Sequence, residues 1–261
     1  VMRVMSFNLR TAEASDGENA WNLRREMALE RVRAFAPDLL GLQECHDLQQ
    51  ADDVRTGLPE YTSIGARRGG SGRAPLEMTP ALVRTERFEV LEQRIFWLSR
   101  TPDEPGSLSW GSAYARTAVQ LRLRERSDGR ELAWLHTHFD YLPFAVREMA
   151  VMLRGVADGL PTGLPLLVTG DFNAGKRSAA YRRLLGQGGR RPLFDAYRLA
   201  HPDGRGDGSF HAFGKLPRAQ AIDWILVSAE FRVLEAGIDR FQAGGRFPSD
   251  HFPVWAVLDL V

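Results

Sequence analysis

The chain has 261 residues and a single cysteine, Cys45. No intrachain disulfide can form, so neither an oxidising nor a reducing compartment is demanded. Cys45 follows Glu44 directly, yet a lone cysteine beside an apolar run reads as a buried strand neighbour and not as a reactive thiol. Lysine is nearly missing, present only as Lys176 and Lys215, and arginine carries the rest of the positive charge to a net of +1. That balance excludes a global electrostatic signature of nucleic-acid or membrane-surface binding. No apolar run is long enough to span a bilayer, and no repeat or low-complexity tract appears. No linker divides the sequence either. The Gly-rich stretch RRGGSGRAP at 67–75 reads as a loop between strands, so one domain over residues 1–261 is expected. No signal-peptide pattern precedes VMRVMSFN, which gives a cytoplasmic expectation, although a leader already removed would leave no trace.

What is present is an alternation of strand-like and helical periods. VMRVMSF reads as a buried strand, the spacing of Leu23, Met27, Leu29, Val32 and Phe35 predicts a helix ended by Pro37, and DLLGLQE is a second buried strand. The middle is strand-rich: YTSIGAR, ALVRTERFEVL, RIFWLS, SAYARTAVQLRLR and ELAWLHTHF, the last two joined as a hairpin by the turn residues SDGR. FAVREMAVMLRGVADGL is helical, PLLVTGDFNA is a strand opening into a polar turn, SAAYRRLLG is helical, and AIDWILVS, FRVLEAGI and FPVWAVLDL finish as strands. Mixed pairing with helices between strands predicts two mixed sheets packed face to face and flanked by helices, an α-β-β-α sandwich of the α/β (α+β) class.

Polar residues stand at the ends of these strands. Asn8, Glu44, His138, Asp171, Asn173, Asp223, Asp250 and His251 each close or follow an apolar run. A core has no use for carboxylates and amides at strand mouths, whereas an enzyme does, because strand ends hold polar groups rigidly around one point. Cleaving a phosphate ester requires neutralised charge on the phosphate, an activated water and a stabilised leaving oxygen. Glu44, Asn8, Asp171 and Asp250 supply the hard oxygen donors that suit Mg²⁺, with Mn²⁺ as the alternative, and no zinc-type Cys/His spacing occurs.

The blocks SFNLR, GLQE, HTHFD, VTGDFNA, AIDWILVS and SDHFPV, in this order from the first strand to the last, resemble the endonuclease/exonuclease/phosphatase superfamily. The resemblance implies a deoxyribonuclease I-like four-layer fold and a Mg²⁺-dependent hydrolase acting on phosphoric ester bonds. It implies metal residues at Asn8, Glu44 and Asp250 and a catalytic set of His138, Asp171, Asn173, Asp223 and His251. Asp171 matches the residue that orients or deprotonates the attacking water, Asn173 the amide on a phosphoryl oxygen, and His251 the imidazole at the scissile phosphate. Asp223 matches the carboxylate that fixes that imidazole, and His138 corresponds to a phosphate-stabilising or leaving-group-protonating histidine. The sequence departs from the family pattern at His136, where Asn is usual, at Tyr141, where close bacterial relatives often have His, and at Ala221, where many nucleases have Arg.

ENAWNLRRE, SAYARTAV and GSFHAF further resemble a bacterial branch whose substrates are mostly unassigned, and they nominate Trp21, Arg116 and His211 for substrate contact. Arg116 suits either a phosphate or a structural ion pair. The expected activity is a phosphodiesterase, with a nuclease on DNA or RNA as the alternative and a non-catalytic phosphate-binding module as the rival from another class. Near-neutral charge and loops carrying Trp21, His211 and Phe213 favour a compact phosphodiester or head group over duplex DNA. No obligate protein partner is implied.

Overall fold

A computed structural model describes residues 1–70 and 75–261; residues 71–74 of the RRGGSGRAP loop lie outside the described residues. The chain begins with β1 (Met2–Asn8), α1 (Trp21–Phe35), β2 (Leu39–Gln43), β3 (Cys45–His46), α2 (Gln50–Gly57) and β4 (Tyr61–Ile64). It continues through β5 (Glu77–Met78), β6 (Ala81–Arg84), β7 (Phe88–Trp97), β8 (Thr117–Glu125) and β9 (Glu131–His138). The second half holds α3 (Pro143–Gly159), β10 (Leu166–Asp171), α4 (Ala179–Leu185), β11 (Leu193–Asp195), α5 (Ala196–Ala200), β12 (Asp223–Ser228), β13 (Phe231–Ile238) and β14 (Val254–Leu260).

Two six-stranded mixed sheets result, one in the order β13-β14-β1-β2-β6-β4 and the other in the order β11-β12-β10-β9-β8-β7. Each sheet contains one parallel pair, β1 with β2 and β9 with β10, and each pair is linked through a helix, α1 or α3. Parallel neighbours need such a crossover.

The period of two along each strand sorts its side chains between layers. Val4 and Leu167 point between the sheets with Leu39, Trp134, Ile225 and Ala256. Met5 and Phe7 pack outward with Leu29 and Val32 of α1, and Val168 packs outward with Met149 and Leu153 of α3. Strands covered on both faces read as nearly unbroken apolar runs, which is why VMRVMSF and PLLVTG stand out in the sequence.

The expected strand ALVRTERFEVL is divided in the structure. A turn closed by the Arg87 N–H on the Arg84 carbonyl (3.1 Å) separates β6 from β7, and the two strands belong to different sheets. FEVL and RIFW are instead one strand, irregular between Val90 and Glu92. The elements α2, β3, β5, β11 and α5 add to those expected.

One polar bridge crosses the interior. The Trp134 indole N–H donates to Thr169 Oγ1 (2.8 Å), that hydroxyl meets His136 Nδ1 (2.8 Å), and His136 Nε2 lies 2.9 Å from the Leu42 carbonyl of the facing sheet. A carbonyl only accepts, so Nε2 carries the proton and Nδ1 accepts from the hydroxyl. Burial lowers the His136 pKa to about 4 and keeps the ring neutral. The ring stands against Gly41, where a Cβ would come within 2.3 Å of it.

Candidate active site

Strand register brings the polar ends together. Asp171, the last residue of β10, pairs with His138 on one side and Asp223 on the other. In the facing sheet Asn8 ends β1 opposite Gln43, one residue before Glu44. Glu44 and Asn173 then leave their strands in the left-handed region, with φ of 54° and 47°, and Arg10 does the same at 56°. A non-glycine residue there costs about 1–2 kcal/mol, a strain that the surrounding hydrogen bonds must hold. The Asn173 turn is held by its own N–H on Asp171 Oδ1 (2.9 Å).

Asn8 joins the two sheets at this end. Its Nδ2 donates to Asp171 Oδ2 (2.9 Å) and Glu44 Oε1 (3.1 Å), while its Oδ1 accepts the Arg10 N–H (2.9 Å). Both carboxylates and the backbone N–H fix the amide in this orientation. The oxygen expected to ligate a metal is therefore turned to Arg10, and Asn8 here spaces two carboxylates. The second Glu44 oxygen accepts the Thr11 N–H (3.1 Å). Burial works against the Glu44 charge, but His251, the Thr11 N–H and Asn8 together hold its pKa below the usual range.

The two histidines differ in protonation. His251 Nδ1 sits 2.8 Å from Asp223 Oδ2 and its Nε2 3.8 Å from Asp171 Oδ2. Burial opposes its charge, yet Asp223, Asp171 and Asp250 raise its pKa to about 10, so it is an imidazolium at neutral pH. His138 is also buried, and burial with the nearby Arg116 and Arg68 charges pushes its pKa well down. Arg116 Nη1 donates to His138 Nδ1 (2.9 Å), which leaves the proton on Nε2, 3.5 Å from Asp171 Oδ2. Asn173 Nδ2 reaches the Phe139 carbonyl (2.9 Å) and lies 3.2 Å from the same Nε2. Asp171, amid these groups, is raised by burial and by Asp223, with His251 opposing. Asp250 is raised by burial, sits 3.9 Å from Arg10 Nε, and has its backbone carbonyl held by the N–H groups of His211 and Ala212.

Asp171, Asp223 and His251 each place a ligand atom within 4.8 Å of the others, close enough to hold a cation. A cation among them would have to displace the His251–Asp223 proton, so the trio is better satisfied as a hydrogen-bonded relay. The other hard-oxygen group, Glu44, opens on a cleft of about 530 Å³ that Arg10, Arg68, Arg116, His138, Glu77 and Asn173 also line.

Two residues expected to touch substrate, Trp21 and His211, are not among those that line this cleft. Trp21 is 2% exposed, its indole N–H bound to Asp53 (2.7 Å), and it packs in the layer between α1 and β2. His211 is 4% exposed and stacked on Phe252 with ring centroids 3.9 Å apart. Arg116 is also buried, but it lines the cleft and its guanidinium contacts Glu77 (3.4 Å). Arg24, grouped with Trp21 in the sequence, donates to the carbonyls of Leu9, Arg10, Asn19 and Pro248 and clips the loops beneath the site.

Sequence reasoning missed Glu77, Arg68 and Ser209. Arg68 Nη1 meets Glu77 Oε1 at 3.0 Å on the cleft wall, and burial with the neighbouring Glu44 charge raises the Glu77 pKa. Arg68 lies within the Gly-rich stretch and Glu77 just past its end, where no periodicity marks them. Ser209 Oγ donates to Asp223 Oδ2 at 2.6 Å, behind the His251 pair. Its position in the GSFHAF block was the available signal.

Two mixed sheets face to face, helices outside, and carboxylates, amides and imidazoles gathered at one end of both sheets define a deoxyribonuclease I-like phosphoester hydrolase fold. The chain belongs to the Endonuclease/Exonuclease/phosphatase family, whose model matches residues 5–251. An endonuclease/exonuclease/phosphatase from Bacteroides vulgatus is 30% identical over 100% of this chain and 99% of that one, with a TM-score of 0.89. The mannosyl-6-phosphatase Bt3783 of Bacteroides thetaiotaomicron VPI-5482 is 30% identical over 100% of both chains, with a TM-score of 0.86. The human Nocturnin catalytic domain, 19% identical with a TM-score of 0.76 over 100% of this chain and 94% of that one, shares the fold. An uncharacterized protein of Acanthamoeba polyphaga mimivirus is 23% identical over 160 residues, and the match spans 59% of this chain and 59% of that protein. Among the described residues no helix is long and apolar enough to cross a membrane.

Proposed function

We propose that the chain is a divalent-metal-dependent phosphoesterase that hydrolyses a compact phosphate ester by in-line attack of an activated water. The observation that carries this reading is the meeting of Glu44 and His138 on the cleft where Arg10, Arg68 and Arg116 converge, with Asp171 3.5 Å behind His138 and the His251–Asp223 pair 3.8 Å beyond Asp171. The oxygen donors fit Mg²⁺ or Mn²⁺: Glu44 is the holding carboxylate, and Asp250 supports it from the adjoining loop. Bound there, such an ion would neutralise phosphate charge.

The remaining chemistry falls to the side chains. Asp171, a carboxylate whose proton affinity burial has increased, takes the proton of the attacking water. The His251 imidazolium and the neutral His138 Nε2–H donate to phosphoryl oxygens as charge builds, and Asn173 holds a third. Asp223 keeps His251 charged and oriented, and Ser209 keeps Asp223 in place.

A phosphodiester is the expected bond. The likeness to a mannosyl-6-phosphatase at 30% identity favours a sugar phosphomonoester as the second reading. Turnover of bis-p-nitrophenyl phosphate against p-nitrophenyl phosphate, each with Mg²⁺ and with chelator, separates them. Turnover of neither ester in the presence of Mg²⁺ or Mn²⁺ would return the chain to a non-catalytic phosphate-binding role.

A further inference from the structure

The segment after the catalytic Asp171 is unlike the rest of the chain. From Phe172 to Leu193 and Phe194 no Asp or Glu occurs, while Lys176, Arg177, Arg182, Arg183, Arg190 and Arg191 all do, in a molecule whose net charge is only +1. Lys176 and Arg191 are used internally, the first on Asp195 (2.8 Å) and the second on the Pro161 carbonyl. Arg177, Arg182 and Arg183 are exposed and have no carboxylate partner among the described residues. They border a cavity of about 870 Å³ together with Ala179, Tyr181 and Gln187.

That cavity is not isolated from the catalytic cleft. A smaller one of about 320 Å³ adjoins both, walled by Tyr141, Pro143, Val146 and Ala180 together with Arg147 and Ser178. It shares Tyr141 and Asn173 with the cleft and Ala179 with the basic cavity. Alanine has only a methyl group, so cavities that both touch it are neighbours. The track therefore runs from three guanidiniums, across a mainly apolar saddle with the half-exposed Tyr141 ring and Arg147 on its wall, to three more guanidiniums. A substrate alternating charge, ring and charge matches this order: one phosphate reacts, a ring lies on Tyr141, and a second phosphate finds arginine forks.

We propose that Arg177, Arg182 and Arg183 form a second phosphate-binding subsite, taking a phosphate that the substrate carries beyond a ring-sized spacer. The inference deepens the phosphoesterase reading, on which it rests. Two sources present this chemistry, a bisphosphorylated small molecule and a single-stranded phosphodiester chain. Duplex DNA does not, because its bases face each other and not Tyr141.

Calorimetric titration without divalent metal, using thymidine 5′-monophosphate, thymidine 3′,5′-bisphosphate and hexathymidylate, tests the subsite apart from turnover. The added 3′-phosphate should tighten binding about tenfold or more. A gain that stops at the bisphosphate identifies the small-molecule source, and a further gain with hexathymidylate identifies the chain. In the Arg182→Glu/Arg183→Glu double variant the gain should vanish, and the slope of log affinity against log salt for hexathymidylate should fall by about 1.4, about 0.7 per lost contact. Bis-p-nitrophenyl phosphate, which carries no second phosphate, should turn over at the wild-type rate in that variant. Equal affinities along the series, or a gain that survives the charge reversal, would overturn the proposal. Absence of all ester turnover in the wild type, with the binding pattern intact, would count against the hydrolytic reading and leave the subsite standing.

Discussion

Glu44 occupies a backbone conformation that most residue types avoid, and its two oxygens are held by Asn8 and Thr11. Replacing it with Ala keeps a non-glycine residue at this φ and leaves the Asn8 amide and the Thr11 N–H without that acceptor, at a cost of about 1–3 kcal/mol each. Glu44→Ala should keep the wild-type circular dichroism spectrum and lose at least about 100-fold in Mg²⁺ affinity by calorimetry; unchanged affinity would take Glu44 out of the metal site. Asp223→Asn keeps a polar group near His251 but removes the charge that sustains the imidazolium. Its kcat should fall by about 10²–10⁴ with KM little altered, and a change confined to KM would argue for a binding role. These carboxylates were legible in the sequence because each interrupts an apolar run. The direction of the Asn8 amide was not, since it depends on the Arg10 N–H two residues on. Nor was the burial of Trp21, because an aromatic at the start of a helix satisfies a core and a ligand pocket equally well in one dimension.

At the scale of elements, the β9–β10 contact sets the spacing of His138 and Asp171. Gly170 lies so close to the neighbouring strand that a Cβ there would come within 2.2 Å of the Thr137 carbonyl. Gly170→Ala must push the strands apart, at about 1–3 kcal/mol of stability. A shift of about 1 Å between these two proposed catalytic groups should lower turnover by about 10²-fold. Chemical denaturation and steady-state kinetics on the same preparation check both effects; wild-type kinetics in a destabilised variant would separate packing from catalytic spacing. The long buried strands and helices were legible by period, but the division of ALVRTERFEVL was not. Arg84, Thr85, Glu86 and Arg87 are four polar residues in succession with no Gly, Pro, Asn or Asp among them to mark a turn, and only the structure shows that β6 and β7 enter different sheets.

For the whole molecule, buried titratable groups tie stability to pH, the imidazoles of His136, His138 and His211 in one sense and the carboxyls of Asp171 and Glu77 in the other. The folded pKa of His136 is depressed to about 4 by burial, below its unfolded value, and that of His211 likewise to about 4 by burial and the His251 charge. Each favours folding fully above its unfolded pKa, and that contribution is lost as pH falls through the folded value. For His136 the loss is roughly 3 kcal/mol. Asp171 and Glu77, both raised to about 7 mainly by burial, act in the opposite sense. The His136 share is therefore read as a difference: the urea midpoint of the wild type relative to His136→Asn should fall between about pH 7 and about pH 4, and an unchanged difference would rule out His136 as a source. Since one apolar layer joins both sheets, loss of near- and far-ultraviolet signals should coincide in a single transition, as expected of one domain.

The contact between Gly41 and His136 also constrains the routes by which this sequence can change. Enlarging position 41 first drives a methyl group into an imidazole that two hydrogen bonds hold in place. Shrinking position 136 first leaves a void, a freed Thr169 hydroxyl and a Leu42 carbonyl without its imidazole donor, a loss the fold can survive. The two steps therefore do not commute, and a double-mutant cycle of Gly41→Ala with His136→Asn should show a favourable coupling of about 0.5–3 kcal/mol. Histidine at 136 thus acts as a historical lock: while it stays, the facing strand is confined to glycine at 41, and only a lineage that gives up the histidine first can fill that position.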